Sequence, residues 1–451
     1  MVWSQRFSGS ASYRQIQQKL RDRFKAEPPA GQRTGPSGQG RIDADGRIVL
    51  PDPERRRWGL SPDTELIIQE TAEGLVVRPV DPPLKKICVE PTSACNLSCR
   101  TCVRNTWEEE TGFMDMATFR RMISGLKKVP SLEKIAFWGI GEPLLHPDIF
   151  EMIFLANRLG VKTELVSNAL LLDRPAAEKL VETGLDTLVV SVDGVSSATY
   201  KCIRSGGNLD TVKSHIDYLN TLRWKNGNNR PDLGIEFVAM QSNLSELPKL
   251  RDLAYEMKAS FLIITNVLPY TEALKDEILY WLSPSYSCFP TPDRSPEQPE
   301  VVLPVFDDRP EQMNAVKKLL QSNGIVTPSS KDFGNIKAYC PFVWEGSTSI
   351  SWDGSVSPCI ALMHSYTCYV LGREKKIRRY PLGNIGTQDL KDIWSDEAYK
   401  QFRNRAMRFE FSPCANCGGC EFADFNEEDC FGNTFPVCGD CLWARGIILC
   451  P

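Results

Sequence analysis

From Cys88 to about residue 269 the hydrophobic and polar positions follow one rhythm, a short apolar run and then a longer amphipathic stretch. The runs "KIAFWGI", "KTELVSN", "DTLVVSVDG", "GIEFVAM" and "FLIITNVLP" read as strands. Helices are predicted over 116–128, 148–159, 175–183, 208–224 and 245–257. Such alternation demands a parallel sheet with right-handed crossovers, and six units predict an α/β fold with a partial (β/α)6 barrel over 82–280. Chemistry in this architecture gathers at the C-terminal ends of the strands.

The flanks break the rhythm. Residues 1–40 hold a basic helical candidate over 13–25 and then "AEPPAGQRTGPSGQG", a flexible linker by composition. Short alternating strands over 47–50, 65–70 and 74–80 predict a small β module at 41–81, too small to bury a good core alone. After the barrel, 281–335 is rich in Pro and Ser and reads as a linker or lid, with a helix over 310–322. Residues 336–451 form a cysteine-dense ending.

A chain of 451 residues, 42% hydrophobic and 24% charged, predicts two or three globular domains. No apolar run approaches the roughly 18 residues of a membrane span, and the N-terminus lacks the apolar core and cleavage site of a secretory signal. A cytoplasmic, reducing setting follows, where 16 cysteines point to metal or iron–sulfur ligation rather than disulfides. A net charge of −4 offers no global attraction to nucleic acid.

None of the cysteines precedes Cys88, and ten lie between Cys340 and Cys450. The stretch "EPTSACNLSCRTC" sets Cys95, Cys99 and Cys102 in a C-x3-C-x2-C run just after the first predicted strand. Three thiolates on a [4Fe–4S] cube leave one iron open for another ligand. A zinc site with a distant fourth ligand, or chance clustering, shares the spacing alone.

With "GIGEP" after the second strand, this triplet resembles the cluster-binding loop of radical S-adenosylmethionine (SAM) enzymes. The resemblance implies that Gly139, Gly141, Glu142 and Pro143 bind the methionine amino group, and that Ser167, Asn168, Ser191 and Asp193 contact its ribose or carboxylate. Asp193 is an equal candidate for capping the following helix. Thr101 stands where the family often has an aromatic residue. The implied chemistry is chelation of SAM by the open iron and reductive cleavage to a 5'-deoxyadenosyl radical, which abstracts hydrogen from a substrate.

Cys340, Gly354 and Cys359, spaced C-x13-G-x4-C, resemble the start of a SPASM domain, and "LGNIGTQDLKDIWSDEAYKQFR" resembles its helical middle, with Trp394 and Phe402 as core. "CANCGGC" adds Cys414, Cys417 and Cys420, and "CGDCLWARGIILC" adds Cys438, Cys441 and Cys450. The eight suffice for two auxiliary [4Fe–4S] clusters, although the spacing departs from the usual SPASM pattern and Cys430 competes for a place. Cys88, Cys202, Cys288 and Cys368 read as ordinary buried residues, a lone one near the radical site being a possible hydrogen donor. His146, His215 and His364 read as structural.

The stretch "GRIVLPDPERRRWGLSPDTELII" resembles the swapped-hairpin AbrB-like fold, yet across the module at 41–81 acidic residues outnumber arginines, favouring partner docking over DNA binding. The whole arrangement resembles maturases of tungsten cofactor oxidoreductases related to aldehyde ferredoxin oxidoreductase. That implies a tungsten enzyme or an associated peptide as substrate, and a low-potential donor such as ferredoxin or flavodoxin. Two alternatives stand: a maturase forming thioether or carbon–carbon crosslinks in a ribosomally made peptide, and a non-catalytic iron–sulfur scaffold or DNA-binding redox regulator.

Overall fold

The computed structural model describes residues 41–450, except 46, 53–54, 56–59, 61–63, 72–73, 80, 108, 228, 281–299, 305, 307–308, 322–338 and 415–419. The expected leader over 1–40, together with Cys288 and Cys417, lies outside the described residues. The chain divides into two compact units, 1–62 and 63–451. In the first, Arg41–Ile42 pairs antiparallel with Ile48–Val49. The second opens on the antiparallel hairpin of Leu66–Thr71 and Gly74–Pro79, so the module expected over 41–81 contributes to both units.

The second unit is built on one sheet. Its strands are β1 (Lys86–Val89), β2 (Lys134–Phe137), β3 (Lys162–Ser167), β4 (Thr187–Ser191) and β5 (Asp232–Ala239). They continue with β6 (Phe261–Asn266), β7 (Glu300–Val302), β8 (Ser347–Ile350), β9 (Ser355–Ser357) and β10 (Gly383–Asn384). The spatial order is β7-β6-β5-β4-β3-β2-β1-β8-β9-β10, parallel from β7 to β8 and antiparallel beyond. Ile87, Val89, Ile135, Phe137, Leu188, Val190, Ile235 and Phe237 are completely buried, as strands covered by crossover helices must be.

Those helices are α1 (Met116–Leu126), α2 (Ile149–Asn157), α3 (Arg174–Glu182), α4 (Ser197–Ile203), α5 (Leu209–Asn226) and α6 (Leu250–Met257). Side chains fix several of their starts: Asp115, Asp173, Ser196 and Asn208 each accept from a backbone N–H of the first turn. The single helix expected over 245–257 begins instead as the 3-10 segment Gln241–Lys249, where Pro248 removes a donor, and becomes α-helical only at α6. Helix α4 escaped the periodicity because its seven residues span barely two turns.

Two further results concern the segments after the barrel. The region read as a linker or lid supplies β7, parallel to β6, and the helix Pro310–Gln321. The cysteine-dense ending is not a separate appendage: β8 pairs with β1 from Ser347↔Lys86 to Ile350↔Val89, so both share one sheet. Trp394 and Phe402 are buried core residues. Among the described residues no helix is long and apolar enough to cross a membrane.

Candidate cofactor site

The C-terminal ends of the parallel strands open onto a cavity of about 1350 Å³, counted with its solvent-open mouth. Its wall brings together Cys95, Cys99 and Cys102 after β1, Gly139, Gly141 and Glu142 after β2, Ser167 and Asn168 at the end of β3, and Ser191 on β4.

The triplet loop is held by a short strand, Ser98–Cys99, that pairs with Arg204–Ser205 and sets Cys99 opposite Arg204. Leu97 N donates to Cys95 Sγ at 3.4 Å and Arg104 Nε donates to Cys102 Sγ at 3.5 Å. Burial pushes the Cys95 thiol up and the Cys99 thiol to about 11, against the opposing pull of Arg104 and Arg204. Burial thus disfavours thiolate at Cys95 and Cys99, while two guanidiniums stand ready to offset thiolate charge.

The glycine loop packs onto the triplet loop more closely than its sequence implies. A Cβ on Gly141 would lie 2.1 Å from Thr92 O and 2.5 Å from Ala94 O, and one on Gly139 would lie 2.5 Å from Glu90 Cγ. Glycine is required here by protein–protein approach, quite apart from any ligand. Glu142 is nearly fully buried; its carboxylate accepts from Ser167 Oγ at 2.7 Å, Asn168 N at 2.7 Å and Leu144 N at 3.0 Å. It therefore ties the β2 loop to the end of β3, and burial raises its pKa despite those bonds.

Two expected contacts stand outside this wall. Pro143, itself buried, opens the 3-10 turn Pro143–Leu145, where its missing N–H costs nothing. The Asp193 carboxylate lies 2.9 Å from Arg204 Nε and accepts from Val238 N, so it orients Arg204, and Ser196 caps the following helix instead.

The wall also holds groups that sequence reasoning passed over, among them Arg204, Glu236, Tyr270, His364, Trp443 and Cys450. Glu236 had a signal, an acidic residue inside the apolar run "GIEFVAM"; burial lifts its pKa to about 7. His364 had none. It was read as a structural loop histidine, yet it lies 2% exposed between two carboxylates. His146 does play the expected structural part, donating from Nε2 to Met114 O while Nδ1 accepts from Asp148 N. His215 bonds Ala169 O.

The C-terminal cysteines sort into groups. Cys340, Cys359, Cys438 and Cys441 all act electrostatically on one another, burial raises all four thiols, and three of them line a second, smaller cavity beside the buried Lys375–Asp440 ion pair of 2.8 Å. Cys414 has Cys430 for its cysteine neighbour, and Cys420 is exposed. Cys450, expected with the auxiliary ligands, lies instead in the first cavity, where Trp443 Nε1 donates to its sulfur at 3.0 Å. Cys202 is exposed rather than buried, whereas Cys88 and Cys368 are buried. Among the described residues no three such side chains converge closely enough to hold a single metal ion.

A partial parallel barrel with a three-cysteine loop at its first strand, joined to a cysteine-rich ending, defines a class. Residues 89–237 match the radical SAM superfamily and residues 340–421 match the SPASM iron–sulfur cluster-binding domain, and the chain belongs to this superfamily. It is a radical SAM enzyme of the SPASM type. Its cofactors are accordingly a [4Fe–4S] cluster and SAM, with auxiliary iron–sulfur clusters in the SPASM domain. The tungsten-containing aldehyde ferredoxin oxidoreductase cofactor-modifying protein of Pyrococcus furiosus is 30% identical over 375 residues, 82% of this chain and 97% of that one. The PqqA peptide cyclase of Rhodopseudomonas palustris is 28% identical over 78% of this chain and 84% of its own. Streptococcus suis SuiB, in a crystal structure with its precursor peptide SuiA, shares the fold at a TM-score of 0.50 and 19% identity, over 74% of this chain and 70% of that one.

The residues present fit these cofactors. The three thiols of the triplet and two guanidiniums border a cavity of ligand size, and the glycine loop exposes backbone at its rim.

Proposed function

We propose that this enzyme is a maturase that modifies the cofactor, or an associated peptide, of a tungsten-dependent oxidoreductase. The similarity to the Pyrococcus furiosus protein carries this reading, because it spans both domains and nearly all of that relative. In this reading Cys95, Cys99 and Cys102 hold the cluster, while Gly139, Gly141, Glu142, Ser167, Asn168, Ser191 and Arg204 frame SAM. When bound, the pair supplies one-electron cleavage of SAM and hydrogen abstraction from the substrate. The chain's own residues exclude water, orient SAM and neutralise thiolate charge through Arg104 and Arg204. Cys340, Cys359, Cys438 and Cys441 hold one auxiliary cluster, and Cys414, Cys417, Cys420 and Cys430 a second. A ferredoxin or flavodoxin in the cytoplasm supplies electrons, and the AbrB-like segment serves partner docking rather than DNA.

The peptide cyclase relative supports a second reading, modification of a ribosomally made precursor peptide. One experiment separates the two. Anaerobically reconstituted protein, reductant and SAM are assayed for 5'-deoxyadenosine with a tungsten-free oxidoreductase or with a candidate precursor peptide, beside a Cys95→Ala, Cys99→Ala, Cys102→Ala variant. Stimulation and a mass change with the oxidoreductase components support the first reading; the same outcome with peptide alone sinks it.

A further inference from the structure

His364 belongs to the C-terminal domain but reaches the glycine loop of the barrel through one carboxylate. Its Nε2 lies 2.9 Å from Glu90 Oε2, at the end of β1, and its Nδ1 lies 2.6 Å from Glu109 Oε2. Each ring nitrogen thus faces a carboxylate oxygen, and the two hydrogen bonds favour the protonated ring. Glu90 is completely buried; its other oxygen accepts from Ile140 N at 2.9 Å, in the middle of "GIGEP". Gly139 rests on the Glu90 side chain so tightly that a Cβ would lie 2.7 Å from Oε1. Glu109 is fixed in turn by Ser365 N at 2.7 Å, and Trp107 packs on the imidazole with ring centroids 4.5 Å apart.

We propose that His364 is a positioning residue through which the C-terminal domain sets the glycine loop for SAM, by pairing with Glu90 and leaving its second oxygen to hold Ile140 N–H. The inference rests on the reading of this cavity as the SAM site. Without the His364 ring, Glu90 keeps only backbone partners, Ile140 N and Trp352 N at 3.4 Å, and its side chain loses the contact that fixes its orientation. A reoriented Glu90 releases the loop while leaving the cysteine ligands untouched.

The test uses the full chain with His364→Ala, His364→Gln and Glu109→Gln. Hydrogen exchange of the metal-free protein reads the loop directly: the peptide containing Ile140 should exchange faster in His364→Ala, and less so in Glu109→Gln, with the peptides of α2 and α3 unchanged. In the reconstituted enzyme the KM for SAM should rise roughly tenfold, the usual order for energetic coupling between sites. The rate at saturating SAM should stay within about twofold, and His364→Gln, which keeps one donor, should recover part of the loss. Unchanged exchange at the loop, or an unchanged KM in a folded His364→Ala protein, overturns the proposal; if His364→Ala does not fold, Glu109→Gln decides by the same two readings. A wild type that neither binds nor cleaves SAM sinks the cavity reading instead, and the exchange result still decides the loop.

Discussion

Single side chains here have assignments that their neighbours reverse. Burial opposes a charge on His364, but hydrogen bonds to Glu109 and Glu90 outweigh it and raise its pKa from 6.5 to about 9. Its folded value exceeds its unfolded one, so its contribution to stability is complete below about pH 6.5 and disappears as pH rises through about 9. Arg379 also faces this cluster, 3.9 Å from Glu109. The thermal midpoint of the wild type should therefore exceed that of His364→Gln at pH 6.5, by the equivalent of about 1–3 kcal/mol, and the difference should shrink toward pH 9.5. Cys450 makes a second case. With its sulfur bonded to Trp443 and facing the first cavity, Cys450→Ala should leave the iron content of reconstituted protein unchanged, whereas Cys441→Ala should lower it. Loss of iron from Cys450→Ala would return that thiol to the auxiliary ligands.

Among elements, the loops after β1 and β2 form a unit. Glu142 N donates to Ala94 O at 2.8 Å, and Gly141 leaves no room for a side chain against Thr92 and Ala94. Gly141→Ala should cost about 1–3 kcal/mol of stability, as overpacking does, and should weaken SAM binding as the triplet loop is pushed away. Denaturant unfolding and a SAM titration would check the two effects, and wild-type values for both would refute this packing account. This level also separates what the chain's pattern reveals from what it hides. Strands β2 to β6 and most crossover helices were legible, because apolar runs and 3.6-residue periodicity are local. The site's cysteines were legible from their spacing, and its glycines, Ser167, Asn168 and Ser191 because they end or follow strands that the pattern located. Arg204, His364 and Cys450 were not, since each reaches the cavity through tertiary packing that no local signal encodes. The capping alternative for Asp193 failed for the same reason: its partner is Arg204, beyond an unpredicted helix, and Ser196 is the cap.

Across the whole molecule, the cysteine-rich ending shares the sheet of the barrel, because β8 hydrogen-bonds to β1 along its full length. Arg403, fully buried against Trp394 and Tyr399, lies 2.6 Å from Asp81 and adds a second tie between the ending and the start of the barrel. A barrel fragment over 82–335 should thus associate or precipitate where the longer chain does not, since β1 would present an open edge. Light scattering of the two proteins at equal concentration would check this, and a monodisperse fragment would contradict it.

The β1–β8 pairing also carries a timetable. Roughly 260 residues separate the two strands, and translation at about 5–20 residues per second puts their emergence on the order of half a minute apart. Through that interval the nascent barrel has neither its edge partner nor the His364 ring that steadies the glycine loop. A chain still lacking β8 and His364 thus carries the cysteine triplet in a half-built cavity.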